Sequence, residues 1–174
     1  LFSYGTASEE GAGERSAKAL DKLGEGRDIT GISHVRGSGF MFGLQSNLPF
    51  QGDGWAELKT MDFDSRLAAI RDDETATKLI DEARNAAKPW IPIERTYFLG
   101  GGDVPAYTNE VSLKQQADEA GEHWAETFIR LTRETDGRAL FNFRMFSASL
   151  KEQAGLFKSK RLYPGLGDAG AHVS

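Results

Sequence analysis

The sequence predicts an α/β fold in which parallel β-strands alternate with helices along a chain of 174 residues. Segments with apolar residues at three- and four-residue steps, typical of amphipathic helices, alternate with shorter segments rich in β-branched and aromatic residues. Glycine and proline stand at many of the junctions, where they favour turns. This order indicates a parallel sheet, either open or closed into a (β/α) barrel, and the pattern alone does not choose between the two.

Four helices are expected, because apolar or small residues recur in them at helical spacing. They cover residues 8–23, 65–87, 112–134 and 147–157. The polar residues 71–73 predict a cap or a break within the second helix, and Ser147 or Ser149 is the expected start of the fourth. The third is expected to be the longest, with His123 inside it as a surface or packing residue.

Four strands are expected from β-prone runs that end at glycine, proline or polar residues. They cover residues 28–35, 91–99, 139–146 and 161–166. Residues 40–64 are expected to form loop and short helical turns. The first and last strands should be parallel neighbours or near-neighbours in one sheet, which would bring His34 and Asp168 toward the same edge, because each follows the carboxyl end of its strand.

Composition excludes several classes of function. The net charge of −5 leaves no basic stripe for a nucleic acid, and no segment approaches the ~20 apolar residues of a membrane span. The absence of cysteine excludes disulfides, Cys-ligated zinc and a Cys nucleophile, so a metal would have to be held by histidine and carboxylate groups. A soluble, cytoplasmic protein is the expectation.

The residues with the clearest chemical meaning follow the last predicted strand. Asp168 stands between Gly167 and Gly170, where glycine lets the backbone approach a metal or a substrate closely. In a barrel, active sites are built at this carboxyl end of the strands. Asp and Gly are also the usual residues of turns, so a simple turn is the alternative interpretation of Asp168.

The run from Gly165 to Val173, Gly-Leu-Gly-Asp-Ala-Gly-Ala-His-Val, resembles a motif of the amidohydrolase family that includes the N-acyl-D-amino-acid deacylases. The family motif reads Gly-Leu-(Gly/Ser)-Asp-Gly-Gly-Ala-His-Val, so Ala169 replaces a usual glycine. The likeness continues in register over most of the chain from about Asp28. It includes residues 36–45 with Pro49, Phe50 and Trp55, residues 66–79, and residues 136–142.

The resemblance implies a fold and an activity for residues 1–174. The chain would be a fragment, incomplete at both ends, of a catalytic (β/α)₈ TIM-like barrel, containing its last few βα units. The implied activity is metal-dependent hydrolysis of amide bonds in N-acyl-D-amino acids or related small amides. A non-catalytic binding or assembly module with the same fold is the alternative.

The resemblance also implies site residues. Asp168 would bind a divalent metal, zinc by preference, and accept a proton from the attacking water. His172, in the same motif, would contact substrate or orient a neighbouring group, or else satisfy the loop backbone. Arg36 would present its guanidinium group to the substrate carboxylate, although a surface ion pair is the commoner role of such an arginine.

His34 is a further candidate metal ligand, if the register of the strands differs by one from the family pattern. The family commonly has other residues at this position, so the resemblance itself does not assign it. The family's His-x-His pair has no counterpart in the sequence, and a zinc site generally needs at least three protein ligands. Most ligands would therefore lie outside this chain, and the fragment alone is expected to be inactive.

Overall fold

The computed structural model describes residues 1–35, 38–86, 91–106, 111–146 and 149–165. The chain divides into two compact units: unit 1 comprises Leu1–Gly39 and Arg144–Ser174, and unit 2 comprises Phe40–Phe143. The elements are β1 (Phe2–Ser3), α1 (Ala12–Leu23), β2 (Gly31–Ser33), β3 (Ser38–Phe42), α2 (Asp53–Thr60), α3 (Phe63–Arg71), α4 (Asp73–Asn85), a 3₁₀ turn (Ile93–Arg95), β4 (Thr96–Phe98), α5 (Leu113–Ala120), α6 (Trp124–Glu134), β5 (Phe141–Phe146), α7 (Leu150–Leu156) and β6 (Leu162–Pro164).

Unit 1 contains a parallel sheet with the strand order β1-β2-β6. Gly31 of β2 is in register with Phe2 on one side and with Leu162 on the other. The expectation that the strands near Asp28 and Arg161 are parallel neighbours is therefore confirmed. The helix α1 connects β1 to β2, as parallel strands require a crossover of this kind.

The helices α1 and α7 of unit 1 pack closely against each other and against the sheet. Leu20 of α1, Leu156 of α7 and Leu162 of β6 form one buried apolar cluster. A Cβ atom on Gly13 would overlap the main-chain carbonyl of Glu152, so a glycine is needed where α1 meets α7. This packing places α7 firmly beside the strands that carry the candidate site.

The helices α1 and α2 each follow a glycine N-cap, and each receives a carboxylate from a glutamate of another helix at its first turn. In α1 the amide of Gly13 donates to the Glu152 carboxylate at 2.8 Å, and in α2 the amide of Gly54 donates to Glu82 at 3.0 Å. A carboxylate suits this place because the first amides of a helix lack internal acceptors and carry partial positive charge. The hydrogen bond from Gly13 is the main reason that the pKa of Glu152 is lowered.

Unit 2 combines the sheet β3-β5-β4 with helices around an aromatic core. The strands β4 and β5 are antiparallel, with Phe98 opposite Phe141. Phe50 stacks on Trp55 at 3.9 Å between ring centroids, and Phe128 contacts Phe141 at 5.1 Å. Aromatic burial of this extent dominates the stability of a small core.

Several sequence expectations need correction. The sheet of unit 1 is parallel as expected, but in unit 2 the strands β4 and β5 pair antiparallel. The single helix over residues 112–134 is wrong: α5 ends at Gly121, which has a φ of 65°, and α6 begins after His123. Residues 40–64 contain helix α2 and part of strand β3 as well as loop.

Other expectations are confirmed. The first helix ends at Leu23, and the break at residues 71–73 is real, since Asp72 caps α4 by accepting the Thr75 amide at 2.8 Å. Ser149 is the N-cap of α7. Among the described residues both sheets are small and open, so the coarse α/β class holds and a closed barrel is not formed by these strands. No helix in the described ranges is long and apolar enough to cross a membrane.

Candidate active site

The candidate site lies at the carboxyl edge of the parallel sheet in unit 1. The strands β2 and β6 end side by side, with Ser33 in register with Pro164. One more backbone hydrogen bond follows, from the Gly165 amide to the Ser33 carbonyl at 2.8 Å. The residues after both strands therefore leave the sheet at the same edge.

His34 is the first residue after β2 and is half-buried. Its carbonyl oxygen accepts a hydrogen bond from the side-chain amide Nε2 of Gln153 on α7. The same Nε2 donates to the Ser33 hydroxyl at 2.9 Å. One buried amide thus holds both the last residue of β2 and the residue that follows it.

The Gln153 side chain is buried, and its oxygen Oε1 has no hydrogen-bond partner in the described part of the chain. The orientation of the amide follows from chemistry, because a carbonyl such as that of His34 can accept only from the nitrogen. Leaving a buried acceptor unpaired costs about 1–3 kcal/mol, comparable to what the two donated hydrogen bonds contribute. The amide therefore contributes little net stability by itself.

Sequence patterns did not identify Gln153 as part of this edge. Glutamine is usually exposed, so its presence in a helix is not a functional signal. One signal was nevertheless available, since Gln153 stands three residues before the buried Leu156 and helical spacing places both on the same face. The contact with β2 itself depends on tertiary packing.

Of the predicted site residues, only His34 lies in the described part of the chain. Arg36, Asp168 and His172 lie outside the described residues. Within the described ranges no three His, Asp or Glu side chains are grouped so that they could hold a metal ion. These residues therefore do not by themselves form a metal site, and His34 is the one proposed ligand among them.

The upstream segments that resemble the amidohydrolase family have structural contacts in unit 2. The Arg66 guanidinium donates to the carbonyl oxygens of Leu44 and Met61, both at 2.9 Å. Arg71 forms an ion pair with Asp136. Helix α3 is thus joined to the loop at Leu44 and to the turn at Asp136, and these contacts hold loops to a helix.

An open cavity of about 630 Å³ in unit 2 lies between the loop before α2 and the helix α4. Its charged lining groups have partners within the protein. Glu82 caps α2, and Lys78 pairs with Glu74 at 2.7 Å. The cavity therefore offers no charged group that is set aside for a ligand.

No protein-family model, curated protein or solved structure matches the chain.

Proposed function

We propose that the chain is part of a metal-dependent hydrolase that cleaves amide bonds in N-acyl-D-amino acids, with unit 1 supplying the last βα units of a (β/α)₈ barrel. One observation carries most of the support: β2 and β6 are adjacent and parallel, and β6 leads straight into the motif that contains Asp168. Side chains that follow neighbouring parallel strands are the usual source of active-site groups in such barrels.

In this proposal Asp168 takes a proton from the attacking water and returns it to the leaving amine, as a carboxylate within hydrogen-bond reach can do. Arg36 and His172 contact the substrate, with the planar Arg36 guanidinium suited to a carboxylate. Asp168 and His34 are the proposed ligands of a divalent metal such as zinc. The remaining ligands would come from other parts of the enzyme.

The test is the substitution Asp168→Asn in the complete catalytic polypeptide, assayed with N-acetyl-D-amino acids. Asparagine keeps the shape but cannot accept the proton, so kcat should fall by about 10²–10⁴-fold with a smaller change in KM. Metal content should be measured for both proteins. In the turn interpretation Asn serves almost as well as Asp, and turnover would stay near the wild-type rate.

Asp28→Asn is the matched control, since Asp28 is exposed and lies before β2 in the same unit. It should leave kcat unchanged. Wild-type turnover in Asp168→Asn, with normal metal content, would remove Asp168 from the mechanism. A wild-type protein that binds N-acyl amino acids without hydrolysing them would instead support the non-catalytic module.

A further inference from the structure

We propose that Gln153 is a positioning residue for the candidate active site, acting through the main chain of His34. The inference rests on the proposed function, because it assigns Gln153 a part in the same site. Neither composition nor the family resemblance indicates the contact between α7 and the end of β2.

Within the described ranges, no backbone hydrogen bond of the parallel sheet involves His34. Beyond the paired residues of β2 and β6, the Gly165 amide donates to the Ser33 carbonyl. The carbonyl of His34 lies one residue further and accepts instead from Gln153 Nε2. The main-chain carbonyl of His34 is thus held by a side chain of α7.

The helix that carries Gln153 is itself well anchored. The preceding residue, Glu152, caps α1 through the Gly13 amide at 2.8 Å, and Leu156 belongs to the buried cluster of unit 1. Consecutive residues of α7 therefore contact α1 and β2. A side chain on a helix that is packed in this way can position main-chain atoms more precisely than a side chain on a loop.

The Gln153 amide is buried where its nitrogen serves two acceptors. Gln153 is 2 % exposed, and its Oε1 has no hydrogen-bond partner among the described residues, so the two bonds from Nε2 have to offset the cost of burying it. What an apolar side chain could not do is donate to the His34 carbonyl. We therefore assign the amide to the placement of His34.

Two substitutions separate positioning from general stability. Gln153→Met keeps the length and removes both donated hydrogen bonds, whereas Ser33→Ala removes one of them and leaves the bond to His34. Gln153→Glu, measured at a pH at which the new side chain is ionised, is a second variant for the case that the methionine protein does not fold, since the carboxylate has the same shape and no hydrogen-bond donor.

The direct readout is the ¹³C chemical shift of the His34 carbonyl, with hydrogen exchange of the Val35 amide in the same peptide group. Both should change in Gln153→Met, or in Gln153→Glu, and stay near wild type in Ser33→Ala. In the complete enzyme kcat should fall about ten- to a hundred-fold in the Gln153 variants, because moving an active-site group by about 1 Å can lower the rate by about 10²-fold. Ser33→Ala should remain within about two-fold of wild type.

The outcomes are distinguishable. An unchanged His34 carbonyl signal in the Gln153 variants overturns the positioning role, whatever the activity. A changed signal with kcat equal to that of Ser33→Ala overturns its catalytic importance. If the signal changes but the wild-type enzyme hydrolyses no N-acyl amino acid, the proposed function fails, and with it the active-site meaning of the contact.

Discussion

His123 ends the turn between α5 and α6 and caps the second of these helices with its ring. Its Nδ1 atom accepts a hydrogen bond from the Ala125 amide at 3.3 Å, and its own amide donates to Glu126 at 2.6 Å. Burial lowers the pKa of His123, and the nearby Arg84 lowers it further. Because an accepting Nδ1 must be unprotonated, the cap requires the neutral imidazole.

This requirement predicts a pH dependence of stability. A histidine in the unfolded chain has a pKa of about 6.5, and the pKa of His123 in the folded protein is lower. Below about pH 6.5 the unfolded state therefore binds more protons, so the stability that His123 contributes is complete above this pH and is lost as the pH falls through the folded pKa.

The measurement is the urea midpoint at pH 7.5 and pH 5.5 for the wild type and His123→Asn. Asparagine caps helices well and does not titrate, so the two proteins should agree within ~1 kcal/mol at pH 7.5 and the wild type should lose more stability at pH 5.5. The other histidines are present in both proteins and cancel in the comparison. Equal losses would show that the cap does not depend on a neutral ring.

Of the residues described at the candidate site, the sequence predicted the position of His34 but not that of Gln153. The sequence placed His34 where a strand passes into a loop, because a β-prone run followed by glycine is a local signal, but the predicted strand, residues 28–35, is longer than β2 (Gly31–Ser33). It could not identify Gln153, whose partners Ser33 and His34 are more than a hundred residues away along the chain. Contacts between residues so far apart along the chain depend on tertiary packing, and no local sequence pattern indicates them.

At the scale of helices, Gly13 makes the contact between α1 and α7 possible. Alanine normally favours a helix over glycine by about 1 kcal/mol. Here its Cβ would overlap the Glu152 carbonyl, so α1 and α7 would have to separate and the Glu152 cap would weaken. We expect Gly13→Ala to destabilise the protein by ~1–3 kcal/mol in a urea titration.

Gly5→Ala provides the control, because a Cβ there meets nothing within 4 Å. It should change the unfolding free energy by no more than ~0.5 kcal/mol. If the Gly13→Ala protein were as stable as this control, α1 and α7 would not approach each other as closely at Gly13 as described.

Helix boundaries were predicted correctly where a few adjacent residues encode them. The end of α1 and the break at Asp72 were predictable, because a glycine stop and an aspartate cap are encoded in a few adjacent residues. The division of residues 112–134 was missed because apolar spacing continues across Gly121. The antiparallel pairing of β4 with β5 was missed because the order of strands along a chain does not fix their direction.

At the scale of the whole molecule, unit 2 is inserted in the sequence between β2 and α7 of unit 1. Its first and last residues, Phe40 and Phe143, stack with ring centroids 5.5 Å apart. The chain therefore enters and leaves unit 2 at neighbouring points. Its main apolar cluster, which runs from Phe42 to Phe143, is drawn from residues of this unit.

We predict that residues 40–143 fold alone. The excised segment should melt cooperatively with a near-ultraviolet circular dichroism signal from its packed aromatic rings. Phe128→Ala is the companion variant, since Phe128 is fully buried and its truncation should cost ~3–5 kcal/mol. An excised segment without a cooperative transition would show that unit 2 depends on the remainder of the chain.

The pairing of β2 with β6 has a consequence for the nascent chain. Residues 34–161 separate the two strands, so β2 leaves the ribosome long before β6 exists. Closing a loop costs about 0.6 kcal/mol more for each doubling of its length. A folded unit 2, with Phe40 beside Phe143, shortens that loop before β6 arrives. The middle of the polypeptide would then fold first, and the candidate site would be completed last, when both ends of unit 1 meet.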